Sequence, residues 1–223
     1  MEHTYPSNMS VTGSGSIASG AYNKVKIIGE CEVLGALDCE TFTCMGTCIV
    51  LGPVRAGYFK LQGEVTVNDD WSGGELKGMG QLTVGGHIRG RTISLMGQLA
   101  ASQSVEAETI SVKGAVELKG LLNAERLELR LYGPSYVKEI GGGRIDIRRS
   151  RWSTIKGWIA PQKHTELIVS TIEGDEIYLE HTRADVVRGN RIHLGAGCQI
   201  GRVEYTQSLH VARQAVVHSE IQL

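Results

Sequence analysis

The sequence predicts an all-β fold, a parallel β-helix of three-sided coils with about 17 residues each, and three observations predict it. Six glycines, Gly29, Gly46, Gly63, Gly80, Gly97 and Gly114, recur in one register at every seventeenth position, and a fixed period of this length marks a repeat architecture. Behind each glycine the same apolar columns return in local alternation, the period of two that belongs to strands. No stretch above ten residues carries a helical period.

Residues 1–12 are polar and aperiodic and read as a flexible N-terminal tail. The run GSGSIASG from Gly13 to Gly20 leads into YNKVKIIG, whose Val25 and Ile27 already occupy inward positions, so a partial first turn caps the helix and regular coils fill residues 13–130. Two and four residues after each glycine come Cys31/Val33, Cys48/Val50, Val65/Val67, Leu82/Val84, Leu99/Ala101 and Val116/Leu118. A column at the eighth position after the glycine holds Leu37, Val54, Trp71, Ile88, Val105 and Leu122, and its companion is small: Cys39, Ala56, Gly73, Gly90, Ala107, Ala124. A third pair, at the thirteenth and fifteenth positions, runs from Phe42/Cys44 to Leu127/Leu129. Three short strands per coil follow. One coil alone leaves its inward residues exposed, whereas stacking joins the columns into one core, with each residue beside its equivalent in the next coil at about 4.8 Å. On the outer faces this register sets Asp38 beside Arg55 and Arg89 beside Glu106, favourably, and Lys60 beside Lys77, unfavourably.

At the next expected glycine stands Leu131, and residues 131–143, LYGPSYVKEIGGG, carry two turn signals that break the register. Residues 144–223 resume the pattern less regularly, in GRIDI, GDEIYL, GNRIHL and SLHV, as further coils ending in a C-terminal cap. That last segment keeps Leu209, Val211, Val216, Val217, Ile221 and Leu223 with scattered charge. It admits two readings: an ordinary cap that folds back, or a self-assembly end that stacks on another molecule, since an open β-helix end exposes backbone groups and core columns.

Net charge is −1 and the pI about 6.7, which supplies no drive toward nucleic acid, and no nucleic-acid partner is expected. There is no apolar run of membrane-span length, and MEHTYPSNMS has neither a basic nor an apolar leader region, so the chain reads as cytoplasmic. Cys31, Cys39, Cys44 and Cys48 lie in inward columns and lack the short paired spacing of structural zinc motifs, so they and Cys198 read as core filling. His193 and His210 fall one rung apart on an outer face, as surface histidines or a shared metal or pH-sensitive pair. Asp175, Glu176, Glu180 and His181 belong to turns and outer faces, and the glycines form no phosphate loop. No catalytic, cofactor-binding or metal-binding residue is assigned. One local patch after the break, with Arg148, Arg149, Arg151, Trp152, Lys156 and Trp158, is either a contact for a partner or an anionic membrane or a solvated strand edge with packed tryptophans.

The 17-residue coils, the lead-in GSGSIASGAYNKVKIIG and the later IEGDEIYLEHTRADVVRGNRIHLGAGCQIGRVEY resemble the bactofilins, bacterial polymer-forming cytoskeletal proteins, in the longer form with extra C-terminal turns. The resemblance implies a right-handed β-helix that assembles end to end into filaments without nucleotide and without a cofactor. It further implies a non-enzymatic scaffold for cell shape, envelope or motility, with itself or a paralogue and peripheral membrane or envelope proteins as partners. Family members often carry an N-terminal membrane-targeting peptide, from which the first residues here depart, leaving a cytoplasmic protein with membrane association open. The rivals are a monomeric β-helix adaptor and, further off, a β-helix acyltransferase or carbohydrate-active enzyme. Hexapeptide acyltransferases repeat an apolar residue every sixth position, which this 17-residue period does not.

Overall fold

A computed structural model describes residues 7–150 and 165–223. Twelve strands make one sheet in chain order: β1 (Asn8–Ile17), β2 (Gly20–Val33), β3 (Leu37–Val50), β4 (Val54–Val67), β5 (Trp71–Val84), β6 (Ile88–Ala101), β7 (Val105–Leu131), β8 (Ser135–Arg149), β9 (Leu167–Leu179), β10 (Thr182–Leu194), β11 (Gln199–Val211) and β12 (Val216–Gln222). Every neighbouring pair is parallel, so the chain winds as a β-solenoid of about 17 residues per turn.

The inward columns are those the period predicts. In β3 the buried residues are Leu37, Cys39, Phe42, Cys44, Cys48 and Val50, and the same six positions recur in the coils that follow. The three strands expected per coil are instead one continuous strand of 14 residues in each of β2 to β6, with short corners such as 34–36 between them. The chain turns inside the strand without leaving the ladder, and the glycine row is the reason. Gly80 has φ +129, a left-handed conformation open to glycine. A Cβ on it would stand 1.9 Å from the carbonyl oxygen of Gly63, the glycine one rung below. The row is thus a line of backbone-on-backbone contact along one corner of the rod.

Asp38 and Arg55 are in register, as are Arg89 and Glu106. Lys60 and Lys77 are also adjacent, and Lys77 turns to Glu75 within its own strand, 2.6 Å away. The aromatic residues collect on neighbouring rungs: Phe42 stacks on Phe59 at 4.4 Å, and Trp71 meets Phe59 edge-on at 5.9 Å.

Two boundaries differ from the sequence reading. Residues 8–12 belong to β1, not to a tail: Met9 and Val11 pair with Val25 and Ile27 and pack on the core. Asn8 stands opposite Lys24, so this first coil is one residue shorter than the period and the repeat register passes over it. Residues 131–143 shift the register without breaking the sheet, because β8 begins at Ser135 and pairs along β7. The shift falls between Leu118, opposite Val137, and Leu121, opposite Glu139. Ser135, in an otherwise apolar inward position, accepts the Val116 N–H with its hydroxyl at 3.1 Å. A polar side chain here replaces a ladder acceptor that would otherwise be missing from a buried amide. Beyond β8 the ladder stays parallel while the coil length varies: the step from Leu167 to its partner Thr182 is two residues shorter than the step from Ile192 to its partner Leu209. Strand β8 pairs with β9 from Ser135 opposite Leu167 to Ile147 opposite Leu179, a step of 32 residues that is well beyond the repeat period.

All five cysteines are free and buried. Burial pushes the Cys39 thiol up to about 12 and Cys198 to about 11. Below pH 9 both are protonated folded or unfolded. Above it the unfolded chain loses its thiol protons first, so stability falls as pH rises from 9 toward about 12. A thiol titration of the native protein at pH 8 with an aromatic disulfide is expected to find no rapidly reacting thiol, and all five reacting after denaturation. A fast-reacting thiol in the native state would contradict the buried placement.

Candidate functional site at the rod end and along its arginine-aromatic face

Two regions carry features that a uniform solenoid does not need. The first is the C-terminal end. Residues 199–205 of β11 are covered by β12, whereas Ser208 to Val211 lie on the last described rung of their face. The six residues that the sequence assigns to this end divide into two groups. Leu209, Val211 and Val217 continue inward columns over Ile192, Leu194 and Ile200 and pack partly buried against the core. Val216, Ile221 and Leu223 point outward and are exposed. Glu220, which the sequence reading passed over, stands opposite Val203 and sets a carboxylate in an otherwise apolar column. At the other end Met9, Val11 and Ile17 stand over Val25, Ile27 and Val33. One inward column runs without interruption from Ile17 to Val217, through Val33, Leu118 and Ile200 among others.

The second region is the outer face of β8 to β11. Asp146, Tyr178, His193 and His210 stand in register on four successive rungs. Tyr178 stacks on His193 at 4.7 Å and His193 on His210 at 4.4 Å, while the Arg148 guanidinium lies 4.0 Å over the Tyr178 ring. Arg148 also donates two hydrogen bonds to Asp146, at 2.7 and 3.0 Å, and Arg130 adds a third at 2.9 Å. Burial acts to raise the Asp146 pKa, but the two guanidiniums hold it below the usual carboxylate range. Burial, then His210 and Arg148, lower His193 from its ordinary value. Arg144 and Arg191 flank the strip, both facing Glu176. Glu128 pairs with Arg130 and Glu180 accepts from the Tyr178 hydroxyl, so four arginines meet four carboxylates and the strip is close to internally neutral.

Of the sequence-assigned patch, Arg148 is held in this ion-pair network, and Arg149 is half-buried at the end of β8 with its Nε without a partner. Arg151, Trp152, Lys156 and Trp158 lie outside the described residues. Arg144, Asp146 and Arg148 point outward from β8, which is paired with β7 on one side and β9 on the other. His193 and His210 face outward one rung apart, as their spacing implies. Tyr178 joins them unannounced, because the step from Tyr178 in β9 to His193 in β10 is shorter than the repeat period. Among the described residues no group of three or more His, Cys, Asp or Glu side chains gathers as a metal site requires.

No family model matches the chain, and no solved structure matches it. Two proteins of Bacillus subtilis (strain 168) are similar to part of it. The uncharacterized protein YhbF is 42% identical over 87 residues, 39% of this chain and 34% of YhbF. The uncharacterized protein YhbE is 37% identical over 91 residues, 40% of this chain and 38% of YhbE. The chain thus spans little more than a third of the length of these relatives. Among the described residues no helix is long and apolar enough to cross a membrane. The chain is an all-β parallel solenoid, and its kinship extends to bacterial proteins of uncharacterized function.

Proposed function

We propose that this protein is a non-enzymatic scaffold that assembles end to end, without nucleotide, into filaments or oligomers. The observation that carries the reading is the pair of rod ends that continue the same inward columns: Ile17 at one end and Val217 at the other terminate a single apolar row, with Met9 and Val11 beside the first and Leu209 and Val211 beside the second. Ile17 is buried, but Met9, Val11, Leu209, Val211 and Val217 are only partly covered, and incompletely covered apolar columns on a parallel ladder are the edge that natural β proteins cover, charge or pair. Glu220 is the one carboxylate set into an inward column there, too little to cap the whole end. The bactofilin-like coil length and motif style support the same reading and extend it to positioning of partners at the cell envelope, a paralogue and peripheral membrane proteins among them. A monomeric adaptor with the same fold is the alternative.

Electron microscopy and sedimentation of the purified chain separate them. Filaments or pelleting oligomers are expected with and without nucleotide, and the pair Leu209→Lys with Val217→Lys is expected to reduce the pelleted fraction at least tenfold by placing charge in the stacking columns. Monodisperse single chains at high concentration, or pelleting only with nucleotide, would overturn the proposal.

A further inference from the structure

A second surface runs along the side of the rod, on outward columns of β2 to β7. The residue before each corner glycine points outward, and in β2 to β7 this column reads Ile28, Met45, Gln62, Met79, Met96 and Lys113 in register. Its four apolar members are exposed, Ile28 by 37%, Met45 by 43%, Met79 by 58% and Met96 by 44%. A row of large apolar side chains, on a rod whose other outward columns are mostly polar, has the form of an interaction surface, and methionine is suited to adaptable contacts. Directly beside this ridge lies an open groove of about 560 Å³ whose lining includes Gly80, Gly97, Gln81 and Tyr132.

The charges on the two flanks indicate what covers it. Outside the ridge is the column Lys26, Thr43, Lys60, Lys77, Ser94, Ser111, and on the far side of the glycine row, where its members Glu64, Gln81, Gln98 and Ala115 form the outer wall of the groove, is the column Glu30, Thr47, Glu64, Gln81, Gln98, Ala115. On the rungs where the first column has Lys26 or Lys60, the second has Glu30 or Glu64; where the first is neutral, so is the second. The exception is Lys77 with Gln81, and Lys77 is already neutralised by Glu75 in its own strand. Among the described residues, Lys26, Glu30, Lys60 and Glu64 form no ion pair within the chain. Their matching is thus not spent on an ion pair inside one molecule.

We infer that a second copy of this chain docks here, side by side and parallel, related by a two-fold axis along the rod. That axis brings two copies face to face with the flanks exchanged. The ridge of each lies in the groove of the other, and the lysine column of each lies on the glutamate column of the other, rung by rung. An axis across the rod instead sets lysine against lysine, so the charge pattern selects the parallel arrangement. The contact is independent of the end-to-end reading: it uses outward columns of β2 to β7, not the inward columns at the rod ends, and pairs rods laterally, whether or not they stack.

Zero-length carbodiimide cross-linking of a mixture of unlabelled and ¹⁵N-labelled chains tests it, with mass spectrometry separating links between copies from links within one. Mixed-isotope Lys60–Glu64 and Lys26–Glu30 products are expected. Met79→Glu with Met96→Glu is expected to lower their yield at least tenfold, and Lys60→Glu alone to abolish the Lys60–Glu64 product. Sedimentation adds a second readout: Lys60→Glu weakens pairing, and Lys60→Glu with Glu64→Lys restores it, because the exchanged charges still face each other across the axis. In the end-blocked background Leu209→Lys with Val217→Lys, the protein is expected to sediment as two copies. Links confined to single copies, or single chains in that background, would overturn the lateral pairing, and neither result bears on whether the unblocked protein forms filaments.

Discussion

Gly80→Ala is expected to destabilise the rod by at least ~2 kcal/mol, while Gly133→Ala leaves stability within about 0.5 kcal/mol. Both replace a glycine at the same corner of the solenoid with the smallest chiral side chain, so composition does not distinguish them. Position does. Gly80 sits at φ +129, and its added Cβ would lie 1.9 Å from the Gly63 carbonyl oxygen, an atom fixed by the ladder. Relief requires the rungs to part, and parting weakens the parallel hydrogen bonds along the coil. Gly133 lies between β7 and β8, has no left-handed φ, and its Cβ would meet only the Ala115 Cβ at 3.9 Å, an ordinary contact. Urea unfolding followed by far-ultraviolet circular dichroism measures both. Equal midpoints for the two variants would show that the close approach along the glycine row is not what demands glycine.

Trp71→Ala is expected to cost about 3–5 kcal/mol, in the range of large-to-small changes at fully enclosed aromatic residues. Trp71 is fully buried and belongs to the Phe42–Phe59–Trp71 stack. The rungs around it are cut to its shape: a Cβ on Gly73 would meet its ring at 3.2 Å, and one on Gly90 at 3.0 Å. Removing the indole leaves a void that neighbours lacking side chains cannot fill. Trp71→Phe is expected to lose less than half as much, since it keeps an aromatic ring and removes an indole N–H that has no acceptor in the core. Thermal unfolding of the two variants checks the order. A phenylalanine variant as unstable as the alanine one would indicate that ring shape, and not occupied volume, holds this section of the rod.

The inward columns are legible in the sequence because a solenoid converts periodicity directly into contact. The residue one period on is the spatial neighbour, so a run such as Leu37, Val54, Trp71, Ile88 names touching side chains in order. The small column of Cys39, Ala56, Gly73 and Gly90 is visible for the same reason. Legibility fails wherever the coil length changes. The shorter first coil hides β1, so Met9 and Val11 read as tail. The shorter step from β9 to β10 hides the alignment of Tyr178 with His193, although the full-period step to His210 exposes the other half of the same stack. At the C-terminal end, the six apolar residues look alike in sequence, and only the ladder register sorts Leu209, Val211 and Val217 inward from Val216, Ile221 and Leu223 outward.

The basic segment shows a further limit. Arg148 counts as one positive charge in the sequence, but its partners come from other coils and its own strand: Tyr178 beneath the guanidinium and Asp146, shared with Arg130, beside it. Ion pairing of this kind depends on which strands are adjacent, and β8 pairs with β9 across an interval of sequence that no period announces.

By itself, then, the sequence determined the architecture: a period of 17 with alternating apolar columns has only a stacked parallel coil in which to bury them. The tertiary structure alone decided that each coil is one bent strand and not three, that residues 131–143 continue the sheet, and which apolar residues terminate the core. It also placed the methionine ridge between a lysine flank and a glutamate flank. The physical reason is that burial repeats with the coil and is written in every turn, whereas a register shift, a corner or a charge partner occurs once and depends on which rungs come to lie side by side.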